Sequence, residues 1–423
     1  MREDFLHYLW NYKKFKTTDL KTCNGESVII KSVGAHNQNS GPDFFNAHII
    51  INDQLWAGNV EMHLKSSDWY LHNHQTDANY DNVILHVVWE HDVEIQRKDQ
   101  TVIPTLELKN YVSPEVLNNY KTLFTKAKKW INCEHEFAEV DDFLISNWLE
   151  RLYLERLEQK SETINKLLKA SNNDWEAVLF TMLAKNFGLK VNGDAFFSMA
   201  KSLKFTVVRK LSNDASDLEA LFFGQSGLLE MDIEDEYYLE LKSKYSFLKQ
   251  KFQLDNLGVL PVQFFRLRPS NFPTIRLSQL AKLYSCQTSL FSDIIYAAKK
   301  EDFYELFNIS TSEYWDMHYN FGVTSKTSKK VLTKSFIDLL IINTIIPLFF
   351  AYNKSKGENV DQQIIDLISN LSPEKNTILK KFESLKKINK SALQSQALLQ
   401  LKNNYCNKLK CLQCAIGNSI LKD

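Results

Sequence analysis

Near residue 141 the chain changes texture, and this change constrains the fold more than any single residue does. Before it, short runs rich in β-branched residues recur at 28–33, 47–51, 55–64, 83–89 and 102–108. Their length and composition predict strands. Ahead of them Phe5, Leu6, Leu9, Trp10 and Tyr12 stand near helical spacing and predict an amphipathic helix over 5–15. Beyond Asp141 the patterns lengthen and turn rich in Leu, Lys and Glu, at 142–168, 174–187, 194–203 and 218–223, with Asp or Asn at several starts to cap exposed amides. At 423 residues the chain is too long for one comfortable core. The expected organisation is an α/β domain over 1–135, a mostly α-helical domain over 136–370 and a basic helical tail over 371–423 that carries a cysteine cluster.

The charge balance narrows the function classes. Lys plus Arg equals Asp plus Glu at 51 each, so no global field announces a polyanion partner, and any such site must be local. One local basic stretch is the tail, with lysines at 375, 380, 381, 386, 387, 390, 402, 408, 410 and 422 against Glu374, Glu383 and Asp423. It reads as a solvated helix face first and a phosphate-contacting surface second. The start of the chain lacks the basic and apolar regions of a secretory signal. The longest apolar stretch, 336–352, is interrupted by Asp338, Asn343 and Pro347 and reads as a buried helix, so no membrane partner and a cytoplasmic location are expected. Six cysteines in so long a chain fit a thiol or metal role better than a disulfide scaffold.

The chemistry centres on residues 41–65. Gly41-Pro42-Asp43-Phe44 reads as a loop that delivers Asp43 to the start of a strand, Asn52-Asp53 as a turn, and the next run as a strand carrying Glu61. Side chains alternate along a strand, so Val60, Met62 and Leu64 belong to the core while Glu61, His63 and Lys65 share the other face. Two converging carboxylates are hard oxygen ligands suited to Mg²⁺ or Mn²⁺. The plainer reading makes Gly41-Pro42-Asp43 a simple turn and Glu61 a solvated strand acid. Eight of the ten histidines fall within the first 91 residues, and His72-Asn73-His74 follows the candidate site directly. A zinc-dependent hydrolase using His63, His72, His74 or His86 is therefore an alternative, with His86 also readable as a structural residue inside its apolar run.

Pro42-Asp43 followed by Glu61-Met62-His63 resembles the Pro-Asp…(Asp/Glu)-x-Lys signature of the restriction-endonuclease-like phosphodiesterases, with His63 standing at the lysine position. That resemblance implies a restriction-endonuclease-like fold for residues 1–135 and a Mg- or Mn-dependent nuclease, acting on DNA ahead of RNA. It further implies Asp43 and Glu61 as metal ligands, His63 or Lys65 in the lysine's role, and Glu3 as an additional carboxylate. A non-catalytic nucleic-acid-binding or scaffold protein with a degenerate nuclease core is the competing expectation. Gly41-Pro42-Asp43-Phe44, Gly58-Asn59-Val60-Glu61, Ser67-Asp68-Trp69 with His72 and His74, Leu85-His86-Val87-Val88, Arg268-Pro269-Ser270-Asn271-Phe272-Pro273 and the terminal cysteines are together similar to an uncharacterised bacterial family, domain of unknown function 2851. That similarity runs over essentially the whole chain and brings no activity with it.

Two further signals lie outside this region. Cys406, Cys411 and Cys414 are spaced as ligands of zinc or of an iron-sulfur cluster, with Cys286, Cys133, Cys23 or a histidine as a fourth; reduced thiols packed in a helix are the alternative. Arg266, Arg268 and Arg276 surround Pro269 and Pro273 in a loop leading to a helix at about Thr274, where they either contact phosphate or pin the loop. Phe222-Phe223-Gly224-Gln225-Ser226-Gly227 lacks the Lys-Ser/Thr of a phosphate-binding loop, which disfavours nucleotide binding.

Overall fold

The computed structural model describes residues 1–37, 39–124, 129–297 and 299–421. They form two compact units, one of residues 1–148 with 401–421 and one of Leu149–Gln400. The first is a mixed α/β unit and the second is mostly helical.

In the first unit helix α1 (Glu3–Asn11) precedes a sheet built from β1 (Leu20–Lys21), β2 (Ser27–Ser32), β3 (Ala35–His36), β4 (Phe44–Ile51), β5 (Gln54–Lys65), β6 (Val83–Glu90) and β7 (Thr105–Glu107). The order across the sheet is β1-β2-β4-β5-β6-β7, with β3 joined to β4. Pairing from β1 to β5 is antiparallel, and β5-β6 and β6-β7 are parallel. A parallel neighbour needs a crossover, which the short helix α2 (Asp68–Leu71) and two 3₁₀ turns, His74–Thr76 and Ala78–Tyr80, provide. The β4-β5 hairpin turns on Asn52 and Asp53 at φ +49° and +62°, the two left-handed residues that a two-residue hairpin of the right twist requires. Gly58 lets β5 approach β6, because a Cβ there would meet Ile84 Cγ2 at 2.4 Å and the Asn82 carbonyl at 2.7 Å.

Apolar residues of α1, including Phe5, Leu9 and Trp10, bury against Phe44, Ile49, Val60, Met62, Leu85, Val87 and Leu106. Helix α3 (Pro114–Leu123) adds Val116, Tyr120 and Leu123 to the same core. A second cluster, Trp69, Tyr80, Val83, Ile95 and Ile103, forms around the crossover. The result is that β5 is buried on both faces from Val60 to His63. The face carrying Glu61 and His63 is thus a covered polar layer rather than a solvated one.

The second unit starts each of several helices on an aspartate: Asp174 accepts from the Ala177 N–H at 3.1 Å and Asp235 from the Tyr238 N–H at 2.8 Å. It is mostly helical, as expected, and also carries one small hairpin, His318–Asn320 with Val323–Thr324. The apolar stretch runs as one helix from Lys334 to Ser355, broken into a π turn at Ile341–Ile345 just before Pro347, whose ring carries no N–H. By length and composition it is the one helix among the described residues that passes for a membrane span, and two thirds of its most apolar window is buried inside the protein.

The domain limits differ from those expected. Residues 136–148 and 401–421 belong to the first unit, because Leu412, Cys411 and Leu421 supply part of its apolar core. The lysine-rich tail is consequently divided: 371–400 sits in the helical unit, 401–421 does not, and Lys422 and Asp423 lie outside the described residues.

Candidate functional site

The register of β4 against β5 pairs Phe44 with Val60, which sets Asp43 across from Glu61. The backbone N–H groups of Asp43 and Met62 lock the two acids together. The Asp43 N–H donates to Glu61 Oε2 at 3.1 Å, and the Met62 N–H donates to Asp43 Oδ2 at 3.0 Å. The loop before Asp43 is tied by the Asn37 amide, which donates to the carbonyls of Asn39, Ser40 and Pro42.

Glu61 is 5% exposed. Burial pushes its carboxyl up to about 9, and the negative charge of Asp43 adds to the effect ahead of Glu3. Glu3 itself is raised by burial and then by Asp43. His7 Nε2 approaches Asp43 Oδ2 at 3.3 Å. Burial works against protonation of His7, but its bond to Asp43 and the charges of Asp43, Glu3 and Glu61 outweigh it and raise the ring. Three acids therefore crowd one space, a distribution that favours a cation.

Histidines fill the covered face. The parallel register sets Glu61 beside His86 and His63 beside Val88. The ring of His63 contacts His86 Nε2 through Nδ1 at 2.8 Å and His72 Nδ1 through Nε2 at 3.0 Å. His74 Nε2 lies 3.3 Å from Glu61 Oε1, and its ring stacks on Tyr80 with centroids 3.8 Å apart. Ligating atoms of His63, His72 and His74 all fall within 4.8 Å of one another. Burial, followed by the neighbouring rings of His74 and His72, pushes His63 down to about 3, so at neutral pH it is uncharged, one ring nitrogen carrying the proton and the other a lone pair. His86 is wholly buried and also lowered, by burial first. Asp43, Glu61, His63, His72, His74 and Glu3 all face a cleft of about 300 Å³.

Not every expected residue is there. Lys65 is exposed, its N–H bound to Asp68 Oδ2 at 3.0 Å, and it does not line the cleft. Four residues of extended strand carry it roughly 13 Å past Glu61. His86 stands behind His63 rather than in the cleft, so it orients that ring. His7 and Tyr80 were not singled out from sequence. For His7 the available signal was its position four residues after Glu3, on the same side of α1.

The arginines of the helical unit are not gathered into one cluster. Arg276 is buried over the Phe336 ring at 3.7 Å and donates to Gln279 Oε1 at 2.9 Å and Asn271 Oδ1 at 2.6 Å, which pins the Arg268–Pro273 loop. Burial lowers it to about 10. Arg268 and Arg276 border a cleft of about 870 Å³ with Lys329 and Lys330; Arg266, at φ +60° over the Phe265 ring, is outside that lining. Cys406, Cys411 and Cys414 border a small cavity of about 20 Å³ together with Cys133, while Cys23 and Cys286 are exposed elsewhere.

Compared with known proteins, residues 3–377 match the family described as a protein of unknown function, DUF2851. No curated protein and no solved structure matches the chain.

Proposed function

We propose that this chain, which belongs to the DUF2851 family, is a metal-dependent phosphodiesterase acting on nucleic acid, DNA ahead of RNA, with Asp43 and Glu61 as its metal ligands. The observation that carries the reading is the interlocked pair itself: two acids fixed side by side on adjacent strands, at a cleft, with Glu61 raised by burial and by Asp43. The order α1, an antiparallel trio β2-β4-β5, α2 and then β6 parallel to β5 supports the likeness to the restriction-endonuclease-like fold, a likeness of fold and not of chemistry.

The residues present fit a divalent cation, and with imidazoles beside carboxylates the donor set suits Mn²⁺ or Zn²⁺ better than Mg²⁺. Such an ion, when bound, polarises the phosphoryl oxygen and lowers the pKa of a coordinated water. His63 does not take the free-amine role of a lysine, since both its ring nitrogens are engaged by His86 and His72. Through His86 it is held in one orientation, and it offers Nε2 to the cleft when its proton sits on Nδ1. His7 orients Asp43 from the side of α1.

A second reading, a zinc hydrolase, is favoured by the histidine trio. The separations His63 Nε2–His72 Nδ1 of 3.0 Å, His74 Nε2–Glu61 Oε1 of 3.3 Å and His63 Nε2–Glu61 Oε1 of 3.7 Å bracket the edge of a zinc tetrahedron. That edge is roughly 3.3 Å for bonds of about 2.0 Å.

The test is cleavage of duplex and single-stranded DNA and of RNA by the full chain with Mg²⁺, Mn²⁺ or Zn²⁺. Asp43→Asn and Glu61→Gln are each expected to lower Mn²⁺-dependent cleavage at least a hundredfold with the far-ultraviolet dichroism unchanged. His72→Ala with His74→Ala separates the readings: Mn²⁺-dependent cleavage that persists favours the acid pair, and loss of hydrolysis together with Zn²⁺ binding favours the trio. Equal activity in the wild type and both acid variants rejects the first reading. Nucleic-acid binding without cation affinity would identify a scaffold.

A further inference from the structure

Cys133 is far in sequence from the terminal cysteines, yet the fold of the first unit brings it to them. The turn at Ile131–Glu134, the π turn ending at Cys406 and the 3₁₀ turn Cys411–Gln413 surround one small cavity, walled otherwise by apolar groups such as Phe137, Leu401 and Ile416. We propose that Cys133, Cys406, Cys411 and Cys414 form a four-thiolate site for a thiophilic metal, zinc or the iron of an iron-sulfur cluster. It shares no lining residue with the histidine cleft and does not rest on the phosphodiesterase reading.

Four observations build the site. First, all four thiols line the one cavity, although no three of their sulfurs stand as close together as the ligating atoms of His63, His72 and His74, so a bound ion or cluster draws them in; burial raises Cys133 to about 12, and Cys414 and then Cys411 add to it. Burial likewise raises Cys406, with Cys133, Cys414 and Cys411 following in that order. Four thiols sharing one apolar cavity repel one another as thiolates, and a bound cation removes that penalty while displacing their protons. Second, N–H groups point at the sulfurs, as they do around thiolate ligands. The Asn132 amide donates to Cys411 Sγ at 3.5 Å, and the N–H groups of Gly417 and Ile416 lower Cys414 against the burial that raises it. Third, the closure is tight. A Cβ on Gly417 would stand 2.1 Å from the Cys411 carbonyl, so only glycine lets the helix Ala415–Ile420 fold back on the Cys411 turn. Fourth, none of the four is spent in a disulfide. Cys23 and Cys286 are exposed and border no such cavity, so Cys133 is the fourth ligand.

The experiment is metal and acid-labile sulfide analysis of the full chain purified without oxygen, with its visible spectrum, for the wild type, Cys133→Ser and Cys23→Ser. Iron with sulfide and a visible absorbance band identifies the cluster, and about one zinc per chain without colour identifies the single ion. Either result supports the site if Cys133→Ser loses that metal and Cys23→Ser keeps it. Metal retained in Cys133→Ser overturns the assignment. Should Cys133→Ser fail to fold, alkylation of the wild type followed by mass spectrometry decides. Cys23 and Cys286 should react at once and the other four only after a chelator; equal labelling of all six, before and after, overturns the proposal.

Discussion

Replacing Glu61 by glutamine should change how the stability of the metal-free protein depends on pH. The carboxyl is raised from 4.5 to about 9, by burial first and the charge of Asp43 second. The folded state therefore holds the proton that the unfolded chain has already released. Stabilisation from this group is complete below the unfolded value, declines as pH rises, and is gone above about 9. One pH unit in that window corresponds to at most about 1.4 kcal/mol, so between pH 6 and 8 the wild type should lose roughly 2–3 kcal/mol relative to Glu61→Gln, which has no proton to lose. Urea unfolding of both proteins in chelator at pH 6, 7 and 8 reads this, since titrating groups remote from residue 61 cancel in the comparison. Added Mn²⁺ should reverse the trend, because a cation favours the ionised carboxyl. A difference between the two proteins that stays constant across the three pH values would refute the account of Glu61 as a buried acid pressed by Asp43.

Two substitutions test the packing of the two units, one in each. Gly58→Ala forces a Cβ against Ile84 and the Asn82 carbonyl at the β5-β6 junction, and should cost about 1–3 kcal/mol by chemical denaturation while lowering cation affinity. In the helical unit, Arg276→Met removes the donors to Gln279 and Asn271 and should lower stability by about 1–3 kcal/mol per stranded acceptor, with no change in cation binding by the first unit.

Much of the first unit was legible because its signals are local. Short β-branched runs became strands nearly where expected, and Asn52-Asp53 became a hairpin turn because those residues tolerate positive φ. The meeting of Asp43 and Glu61 followed from a loop, a hairpin and strand alternation, all of short range. Where strand 102–108 shrank to Thr105–Glu107, Pro104 stands immediately before it and cannot donate to a ladder.

What was not legible depends on segments with no periodicity. Nothing in 68–80 repeats at 2 or 3.6 residues, yet its short turns cover the polar face of β5 and convert a solvated acid into a buried one. Lys65 shares the strand face of Glu61, but distance along the strand, which alternation does not report, decides its reach. The joining of Cys133 to Cys406, Cys411 and Cys414, and the return of 401–421 to the first unit, are long-range facts that composition does not encode.

The central claim is tested most directly by anomalous diffraction from crystals of the full chain soaked in Mn²⁺. The account predicts a peak in the cleft within roughly 2.5 Å of a carboxylate oxygen of both Asp43 and Glu61, absent from crystals of Glu61→Gln. A fully soaked crystal with no peak there, or with Asp43 and Glu61 holding only the backbone N–H groups of Met62 and Asp43, would contradict it.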